Sequence, residues 1–380
     1  MDAEIGIIGL GTMGSMAMWH LAKSGASVIG FEQFGIGHDR SAAGGESRIF
    51  RTAYKEGSNY VPLLKDAYKL WRVLEEESGN PLLTLTNGLI IGHPETAEMK
   101  KVYKSIREYD LDHEILSRDE AGKRYPQHRL QPDELMIVDK LSGYLRPQLS
   151  IVSAVQRARD LGAEIHSHTA VDHIKSERDG VSIYAGGKAY KVGKVLITAG
   201  PWAVNFMKEL GDFMDVRRLV NAWFLQKKAE SFNDKNFPVF TRESKGFYYY
   251  GFPSVDGNMV KIGMFTTEKS RISSPDSLDR AVDLQELAAF TEIIEKDLPD
   301  LYSDPSRVNS YMEIYTADRH PIVGASPWED NMIYLTGFSG HGFKLAPVMG
   351  KIGADLALYG KTEYQVDPFS PARFIKAGSI

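Results

Sequence analysis

The chain has 380 residues, of which 43% are hydrophobic and 25% are charged. This length suits two or three domains of roughly 100–200 residues each, and the composition is ordinary for a globular protein. The net charge of −5 gives no general basic field, so we expect no nucleic-acid partner. The lack of cysteine excludes disulfides, thiolate metal sites and cysteine nucleophiles.

The N-terminal segment is acidic and rich in glycine, unlike the basic start and longer apolar run of a signal peptide. No apolar run approaches the ~18 residues that a membrane span needs. We therefore expect a soluble, cytoplasmic protein with no membrane partner. We predict no metal site.

The first fifty residues have the pattern of a dinucleotide-binding unit. A short apolar strand at 5–8 leads into the turn GLGTMG at 9–14, and an amphipathic helix follows and ends at Gly25. A second strand at 27–31 is followed directly by Glu32. This order of strand, turn, helix, strand and acid predicts dinucleotide binding, although it does not separate FAD from NAD.

Each residue of this unit has its own physical role. Gly9 permits a tight turn, Gly11 lets the backbone approach a pyrophosphate, and Gly14 lets the helix pack closely on the strand. The helix N-terminus offers free N–H groups to the phosphates. Glu32, which lies 18 positions after the last glycine, suits the ribose hydroxyls and disfavours NADP. The predicted cofactor contacts here are Gly9, Gly11, Thr12, Met13, Gly14 and Glu32.

The remaining sequence alternates helical and strand patterns. Apolar periodicity and stop signals predict helices at 60–77, 95–109, 118–125, 150–161 and 276–298. Short apolar runs predict strands at 83–91, 162–171, 194–200 and 332–335. Aromatic and β-branched residues predict an antiparallel sheet at 216–265. The predicted fold class is therefore α/β, or α+β overall, with a Rossmann-like domain whose pieces return at both ends of the chain.

Two predicted strands end where such a sheet contacts its cofactor. The strand at 194–200 ends in a small-residue turn, and the strand at 162–171 returns to the same sheet. Ligands bind at the carboxyl edge of sheets of this kind. We therefore expect cofactor contacts from Val171, Ala199, Gly200 and Trp202.

Three further segments, taken with the N-terminal turn, resemble a single family. They are SRIFRTAY at 47–54, followed by YVP at 60–62; YGFP at 250–253, followed by KIG at 261–263; and GFSGHGFK at 337–344. In order and spacing the chain resembles the monomeric sarcosine oxidase family. That family includes N-methyltryptophan oxidase and the bacterial fructosyl-amino-acid oxidases.

The resemblance implies a Rossmann-like FAD-binding domain at 1–85, 148–215 and 316–380. It also implies a substrate-binding domain with a mixed or antiparallel sheet at 86–147 and 216–315. The family's reaction takes a hydride from the carbon next to a secondary amine and returns the electrons to O2 as hydrogen peroxide, and the imine product hydrolyses. The resemblance therefore implies a monomer whose partners are FAD, a small N-substituted amino acid and O2.

Four residues match the family's substrate and oxygen sites. Arg51 and Lys344 match two cations that hold the substrate carboxylate, since a guanidinium suits bidentate binding and a lysine adds a point charge. Lys261 matches a lysine that faces the flavin and promotes oxygen reduction, because a fixed positive charge stabilises the developing anion. Tyr315 matches a substrate-pocket tyrosine. The alternatives are surface salt bridges for Arg51 and Lys344, and a solvent-facing position for Lys261.

Two of the matching segments also carry the family's flavin contacts. His341 lies in a glycine-flanked turn before a helix, whose N-terminus stabilises negative charge on the flavin. Arg48 matches a cation near the flavin, with a structural ion pair as its alternative. The expected contacts are Ser47, Arg48, Gly340, His341, Gly342, Phe343 and Lys344.

The chain departs from the family's pattern in three places. Many members attach FAD through a cysteine in the region that corresponds to 310–316, and this chain has none, so we expect FAD to be bound non-covalently. Phe265 stands where sarcosine oxidases have a histidine, and Ala43 and Gly44 replace a His-His pair. Smaller residues there suit a bulkier N-substituent, which makes a fructosyl-amino acid a candidate beside sarcosine.

Two other functions share parts of this pattern. An NAD-linked amino-acid dehydrogenase has the same opening fingerprint. A non-catalytic flavin-binding protein has no need of the cations at Arg51, Lys261 and Lys344, and their presence argues against it.

Overall fold

A computed structural model of the chain describes residues 1–375 apart from 245, 256, 258 and 266–269. The α-helices of this part are α1 (Thr12–Lys23), α2 (Val61–Ser78), α3 (Ala97–Tyr109), α4 (Arg118–Arg124), α5 (Pro147–Asp160), α6 (Leu284–Asp297) and α7 (Ala346–Tyr359). Its strands are β1 (Ala3–Ile8), β2 (Val28–Phe31), β3 (Arg48–Phe50), β4 (Leu83–Leu85), β5 (Gly88–Gly92), β6 (His113–Leu116), β7 (Leu135–Asp139), β8 (Gly143–Leu145), β9 (Glu164–His166), β10 (Val171–Glu177), β11 (Gly180–Ala185), β12 (Lys188–Ile197), β13 (Met214–Leu225), β14 (Val239–Ser244), β15 (Phe247–Phe252), β16 (Met259–Met264), β17 (Arg271–Ile272), β18 (Arg307–Thr316), β19 (Ile322–Ala325) and β20 (Met332–Thr336).

The first sheet has the parallel centre of a Rossmann-like domain. Strand β1 pairs in parallel with β2 and β12, β2 with β9, and β12 with β20. The antiparallel strands β10 and β11 extend from β12, and β19 pairs with β20. Helix α1 packs against α5 and α7, and all three share a hydrophobic core with Ile5 and Ile7 of β1. The predicted α/β class is confirmed.

The second sheet is mixed and mainly antiparallel. Its order is β17-β13-β16-β15-β14-β5-β7-β6, and β18 also pairs with β13. The β14–β5 pair is parallel, whereas its neighbours β14–β15 and β5–β7 are antiparallel. Helix α6 packs its apolar face, with Phe290 and Ile294, into the core of this sheet. A small third sheet has the order β3-β8-β4. The exact domain boundaries stay a prediction.

The turn between β1 and α1 shows why glycine is needed there. Gly9 has a φ of +89°, a left-handed conformation that glycine adopts most easily. A Cβ on Gly14 would lie 1.9 Å from the carbonyl oxygen of Gly9, so a larger residue would push α1 away from the strand. Around the Cβ position of Gly11, by contrast, no described atom lies within 4 Å. The turn therefore leaves room for a phosphate at the N-terminus of α1.

Two predicted strands were wrong in extent. The strand predicted at 83–91 is divided into β4 and β5, which belong to different sheets, because Asn87 turns the chain with a left-handed φ of 60°. The strand predicted at 162–171 is only β9. It ends in a turn where His168 has a φ of 55°, and Val171 begins the next strand.

The predicted helices were closer to the structure, with one exception. The helix predicted at 276–298 begins only at Leu284, where the side chain of Asp283 accepts a hydrogen bond from the Glu286 N–H group and caps it. The side chain of Ser117 caps α4, and Gly79 ends α2 in a left-handed conformation. Within the described part of the chain, no helix has the length and apolar character required to cross a membrane.

Candidate active site

A cavity of about 310 Å³ extends from the phosphate turn to the second sheet. It lies beyond the carboxyl ends of β1, β2 and β12, which is the ligand-binding edge of a Rossmann-like sheet. Gly14, Ser47 and Lys261 are predicted site residues that are not in its wall. The predicted residues that do line it are Gly9, Gly11, Thr12, Met13, Glu32, Arg48, Arg51, Val171, Ala199, Gly200, Trp202, Tyr315, Gly340, His341, Gly342, Phe343 and Lys344.

Glu32 is fixed at the phosphate-turn end of this cavity. One carboxylate oxygen accepts a hydrogen bond from the Leu10 N–H group at 3.1 Å, and the other accepts one from the Phe34 N–H group at 3.0 Å. Nε2 of His38 lies 3.3 Å from the second oxygen. The carboxylate is therefore held beside the turn, where it suits the hydroxyl groups of a ribose.

The end of β12 meets the same edge of the sheet. The Thr198 hydroxyl donates to the carbonyl oxygen of Gly9 at 2.7 Å, which ties β12 to the phosphate turn. The Trp202 indole N–H donates to a carboxylate oxygen of Asp276 at 2.8 Å. These contacts place the chain from Ala199 to Trp202 along the wall of the cavity.

Arg51 is 5% exposed, which rules out the surface salt bridge considered for it. Its Nη2 donates to both carboxylate oxygens of Glu56, at 2.6 and 2.8 Å. Burial opposes ionisation of Glu56, but Arg51, followed by Lys55, His341 and Lys344, lowers the pKa of its carboxyl to about 2. Nη1 of Arg51 is buried and has no hydrogen-bond partner among the described residues. The guanidinium therefore binds an internal carboxylate and retains a donor for a further anion.

Lys344 is 7% exposed, so it is not a surface lysine either. Its Nζ donates to the carbonyl oxygen of His341 at 3.1 Å. Burial, and then repulsion by Arg51, lowers the pKa of Lys344 to about 7, although Glu56 and Glu313 act in the opposite direction. A bound anion favours the charged form of such a lysine. Arg51 and Lys344 together form a buried cationic site.

His341 is held as a neutral imidazole. Its Nε2 lies 3.1 Å from the carbonyl oxygen of Arg319, which only accepts, so Nε2 carries the proton. Nδ1 then accepts from the Tyr54 hydroxyl at 2.9 Å. Burial lowers the pKa of His341 to about 4. Both ring nitrogens make hydrogen bonds within the chain. His341 can therefore contact a cofactor only through the face of its ring or through its backbone.

Lys261 lies on β16 and is 2% exposed, which excludes the solvent-facing alternative. Its Nζ donates to the carbonyl oxygens of Gly45 at 2.6 Å and Ser47 at 3.0 Å. Burial, and then repulsion by Arg48, lowers the pKa of Lys261 well below its usual range. Lys261 therefore supports the loop that forms part of the cavity wall, and it is not itself in that wall.

Arg48 binds the same loop. Its guanidinium donates to the carbonyl oxygens of Ser47 at 2.7 Å and Gly44 at 2.5 Å, and also to that of Ala42. These partners are backbone carbonyl groups, in contrast to the structural ion pair considered as its alternative. The side chain orders residues 42–48 and also lines the cavity.

The replacement of a His-His pair by Ala43 and Gly44 does not enlarge the cavity as expected. Ala43 is fully buried in the core of the first domain. A Cβ on Gly44 would lie 2.3 Å from the ring of Tyr311, so that ring occupies the space. Phe265 does line the cavity, with its ring centroid 5.3 Å from that of Tyr250.

Three carboxylates in the cavity wall were not predicted, namely Glu56, Asp276 and Glu313. Glu313 lies on β18 two residues before Tyr315, so the two side chains project from the same face of the strand. Burial raises the pKa of Glu313 in spite of the cations around it. The alternation of residues along this strand could have placed Glu313 beside Tyr315.

A dinucleotide turn that shares one cavity with a buried cationic site defines a nucleotide-dependent oxidoreductase. A family described as FAD dependent oxidoreductase matches residues 4–356. The open space at Gly11, the fixed carboxylate of Glu32 and the continuous wall to His341 fit a long dinucleotide of this kind. FAD is therefore the cofactor, and the alternative of an NAD-linked dehydrogenase is wrong.

Several curated proteins resemble the chain along its whole length. Monomeric sarcosine oxidase of Streptomyces avermitilis is 34% identical over 377 residues, which are 98% of each chain. Monomeric sarcosine oxidase of Bacillus sp. is 31% identical over 97% of this chain and 95% of its own. N-methyl-L-tryptophan oxidase of Salmonella typhi is 30% identical over 98% and 100%. The chain therefore belongs to the monomeric sarcosine oxidase family of FAD dependent oxidoreductases.

Solved structures share the fold. NikD, an unusual amino acid oxidase essential for nikkomycin biosynthesis, superposes in its open form with a TM-score of 0.84 at 19% identity, over 97% of both chains. L-proline dehydrogenase from P. horikoshii superposes with a TM-score of 0.85 at 20% identity, over 98% of both chains. The overall fold of the chain is therefore one that these solved structures also have.

Proposed function

We propose that this protein is an FAD-dependent oxidase of small N-substituted amino acids, acting as a monomer in the cytoplasm with O2 as electron acceptor. The observation that carries the proposal is the pair of buried cations, Arg51 and Lys344, in the same cavity as the dinucleotide turn. The relatives are named for sarcosine and N-methyltryptophan, which are both amino acids with a secondary amine. Fructosyl-amino acids belong to the same chemical class.

The proposed reaction breaks a C–H bond next to the amine and forms a C=N bond. When bound, FAD would supply the acceptor for the hydride and the route by which two electrons reach O2, which becomes hydrogen peroxide by taking up two protons. Water then adds to the imine, the C–N bond breaks, and an amine and a carbonyl compound are released.

Arg51 and Lys344 anchor the substrate carboxylate in this proposal. Two charge-assisted contacts from fixed side chains hold the reacting C–H bond in one orientation, which lowers the entropic cost of reaction. The aromatic wall of Tyr250 and Phe265 limits the access of water to the amine. The amine must be uncharged to release a hydride, because its lone pair forms the new C=N bond.

Lys261 has a separate role in the reaction with oxygen. Its ammonium group is buried behind Gly45 and Ser47, so its charge acts through little solvent. A fixed positive charge stabilises the anion that forms as O2 is reduced. The pocket that holds the substrate carboxylate and the charge that assists O2 are therefore provided by different side chains.

The test is aerobic turnover of matched substrates, measured as hydrogen peroxide with a peroxidase-coupled dye. Sarcosine, N-methyltryptophan and fructosyl-glycine present a carboxylate, whereas sarcosinamide presents a neutral amide. We expect peroxide from at least one of the three carboxylates and much less from sarcosinamide, because Arg51 and Lys344 then lose their anion. A yellow protein that yields no peroxide with any of them would indicate a non-catalytic flavin-binding protein instead.

A further inference from the structure

Glu313 places a carboxyl group in the cavity wall that carboxylate binding does not explain. It lines the cavity and is partly accessible there, although the protein surrounds it. The cations that act on it through space are Arg48, Lys344 and Lys261. These three donate to backbone carbonyl oxygens, and Lys261 donates also to the Ser47 hydroxyl at 3.4 Å. In the described part of the chain, the hydrogen bonds of these cations therefore go to groups other than Glu313.

Among the described residues, the hydroxyl of Tyr315 donates a hydrogen bond to Glu313. The Tyr315 ring is fixed between two guanidinium groups, with Arg217 4.8 Å and Arg319 4.9 Å from its centroid. An ionised carboxylate has about four acceptor positions, so one hydroxyl leaves most of them free. Glu313, held in place by Tyr315, can therefore accept further hydrogen bonds.

Gly340 packs closely against this acceptor, which itself lines the cavity. A Cβ at that position would lie 2.9 Å from the Tyr315 hydroxyl and 3.3 Å from a carboxylate oxygen of Glu313. Gly340 has a φ of +85° and lines the cavity as well. Glycine therefore lets the backbone at 340 pack closely against Glu313 and Tyr315, and a larger residue there would displace them.

Side chains of both kinds line the one pocket, since Arg51, Lys344 and Glu313 all lie in its wall. A substrate carboxylate held by Arg51 and Lys344 is not a partner for Glu313, so Glu313 is left to contact another part of the substrate. A methyl or other alkyl group there would bury the carboxylate without a donor. Leaving a charged acceptor without a donor is costly, and a site built around such a group rejects ligands that lack the matching polar atom.

We propose that Glu313, positioned by Tyr315, is a specificity-determining residue that accepts hydrogen bonds from hydroxyl groups on the N-substituent. The preferred substrates are then amino acids whose nitrogen carries a hydroxylated chain, ahead of those with a plain alkyl group. This inference rests on the proposed function, since it concerns the same pocket. The amine itself is a poorer partner for Glu313, because a carboxylate stabilises the protonated amine, which cannot release a hydride.

The experiment compares two ligands of equal size, N-(2-hydroxyethyl)glycine and N-propylglycine, with the FAD-loaded enzyme. Dissociation constants come from calorimetry, and rates of flavin reduction come from anaerobic stopped flow. We expect the wild type to bind and oxidise the hydroxyethyl compound better by at least about tenfold, the typical effect of a hydrogen bond to a charged group. Glu313→Leu should abolish or reverse this preference. Tyr315→Phe, which keeps the ring, should weaken it.

Two controls separate this inference from a general loss of function. Glu295→Leu removes an exposed carboxylate on α6 and should leave the preference unchanged. If Glu313→Leu folds poorly, Glu313→Gln takes its place as the test variant. Glutamine keeps the shape and one acceptor oxygen, so this variant should retain part of the preference for the hydroxyethyl compound.

Equal affinities of the wild type for the two ligands would overturn the inference, and so would Glu313 variants that weaken both ligands alike. A clear binding preference without flavin reduction would retain the inference and reject the proposed function. No binding of either ligand would reject both.

Discussion

The carboxylate of Glu56 lies 2.6 and 2.8 Å from the same guanidinium nitrogen of Arg51. The residue that was predicted to hold a substrate carboxylate therefore already holds one from its own chain. Both side chains line the cavity, and Glu56 remains ionised over the whole neutral range because its pKa is about 2. A substrate carboxylate must share Arg51 with Glu56 or displace it.

This relationship predicts that Glu56→Gln tightens the binding of simple carboxylates. The variant removes an internal competitor and leaves the charge of Arg51 available, so the dissociation constant for propionate should fall about tenfold, the scale of one charge-assisted hydrogen bond. Titration with propionate, followed by the absorbance spectrum of the bound flavin, measures this dissociation constant. Glu98→Gln is the control, since Glu98 pairs with Lys55 at 3.5 Å and not with Arg51. An unchanged or larger dissociation constant in Glu56→Gln would show that Glu56 does not compete.

Carboxylate binding should weaken as the pH rises through 7. The pKa of Lys344 is about 7, so in the free enzyme its ammonium is present below that pH and is lost above it. The dissociation constant for propionate should therefore rise about tenfold between pH 6 and 9. The pKa of Glu56 near 2 and that of His341 near 4 lie outside this window. Lys344→Met should bind weakly at every pH, and a retained pH dependence in that variant would assign the effect to another group.

Lys261→Met should slow reoxidation of the reduced flavin far more than its reduction by substrate. Loss of a fixed stabilising charge typically costs ~10²–10³ in rate, and only the oxygen half-reaction uses this charge. Burial and Arg48 lower the pKa of Lys261, so wild-type reoxidation should slow as the pH rises through that lowered value, and the variant should lack this dependence. Stopped-flow measurement gives the rates of flavin reduction and flavin reoxidation separately and tests this prediction. Equal losses in both would refute the assignment.

Trichloroacetic acid should release all the FAD from the protein. The chain has no cysteine, so a thioether to the flavin is impossible. At 310–316 it carries Tyr311, whose ring packs against Gly44. Absorbance of the supernatant at flavin wavelengths provides the measurement. Flavin that stays in the precipitated pellet would reveal a covalent bond to another side chain.

Features whose cause is local could be predicted from the sequence. The turn at 9–14 is the clearest case, because the left-handed Gly9 and the close approach at Gly14 are requirements of a few adjacent residues. The capping of α4 by Ser117 is similar, since the acceptor and the N–H group lie three residues apart. The family resemblance identified Arg51 and Lys344 as candidate site residues, and the structure places both in one cavity.

Features that depend on distant contacts could not be predicted. The expected strand at 83–91 is divided because its two halves pair with different sheets, which no local pattern reveals. The partners of Lys261 are carbonyl groups more than 200 residues away in the chain. Gly44 suggested an enlarged pocket, but the space is filled by Tyr311 from β18.

The most direct test of the central proposal is anaerobic mixing of the purified holoenzyme with N-substituted amino acids. Sarcosine, N-methyltryptophan, pipecolate, fructosyl-glycine and fructosyl-valine form a suitable panel. We expect at least one to bleach the flavin absorbance completely, and admission of air to restore the colour with one hydrogen peroxide formed per flavin. A flavin that stays oxidised with every member of the panel, or that is bleached but not restored by air, would contradict an oxidase of N-substituted amino acids.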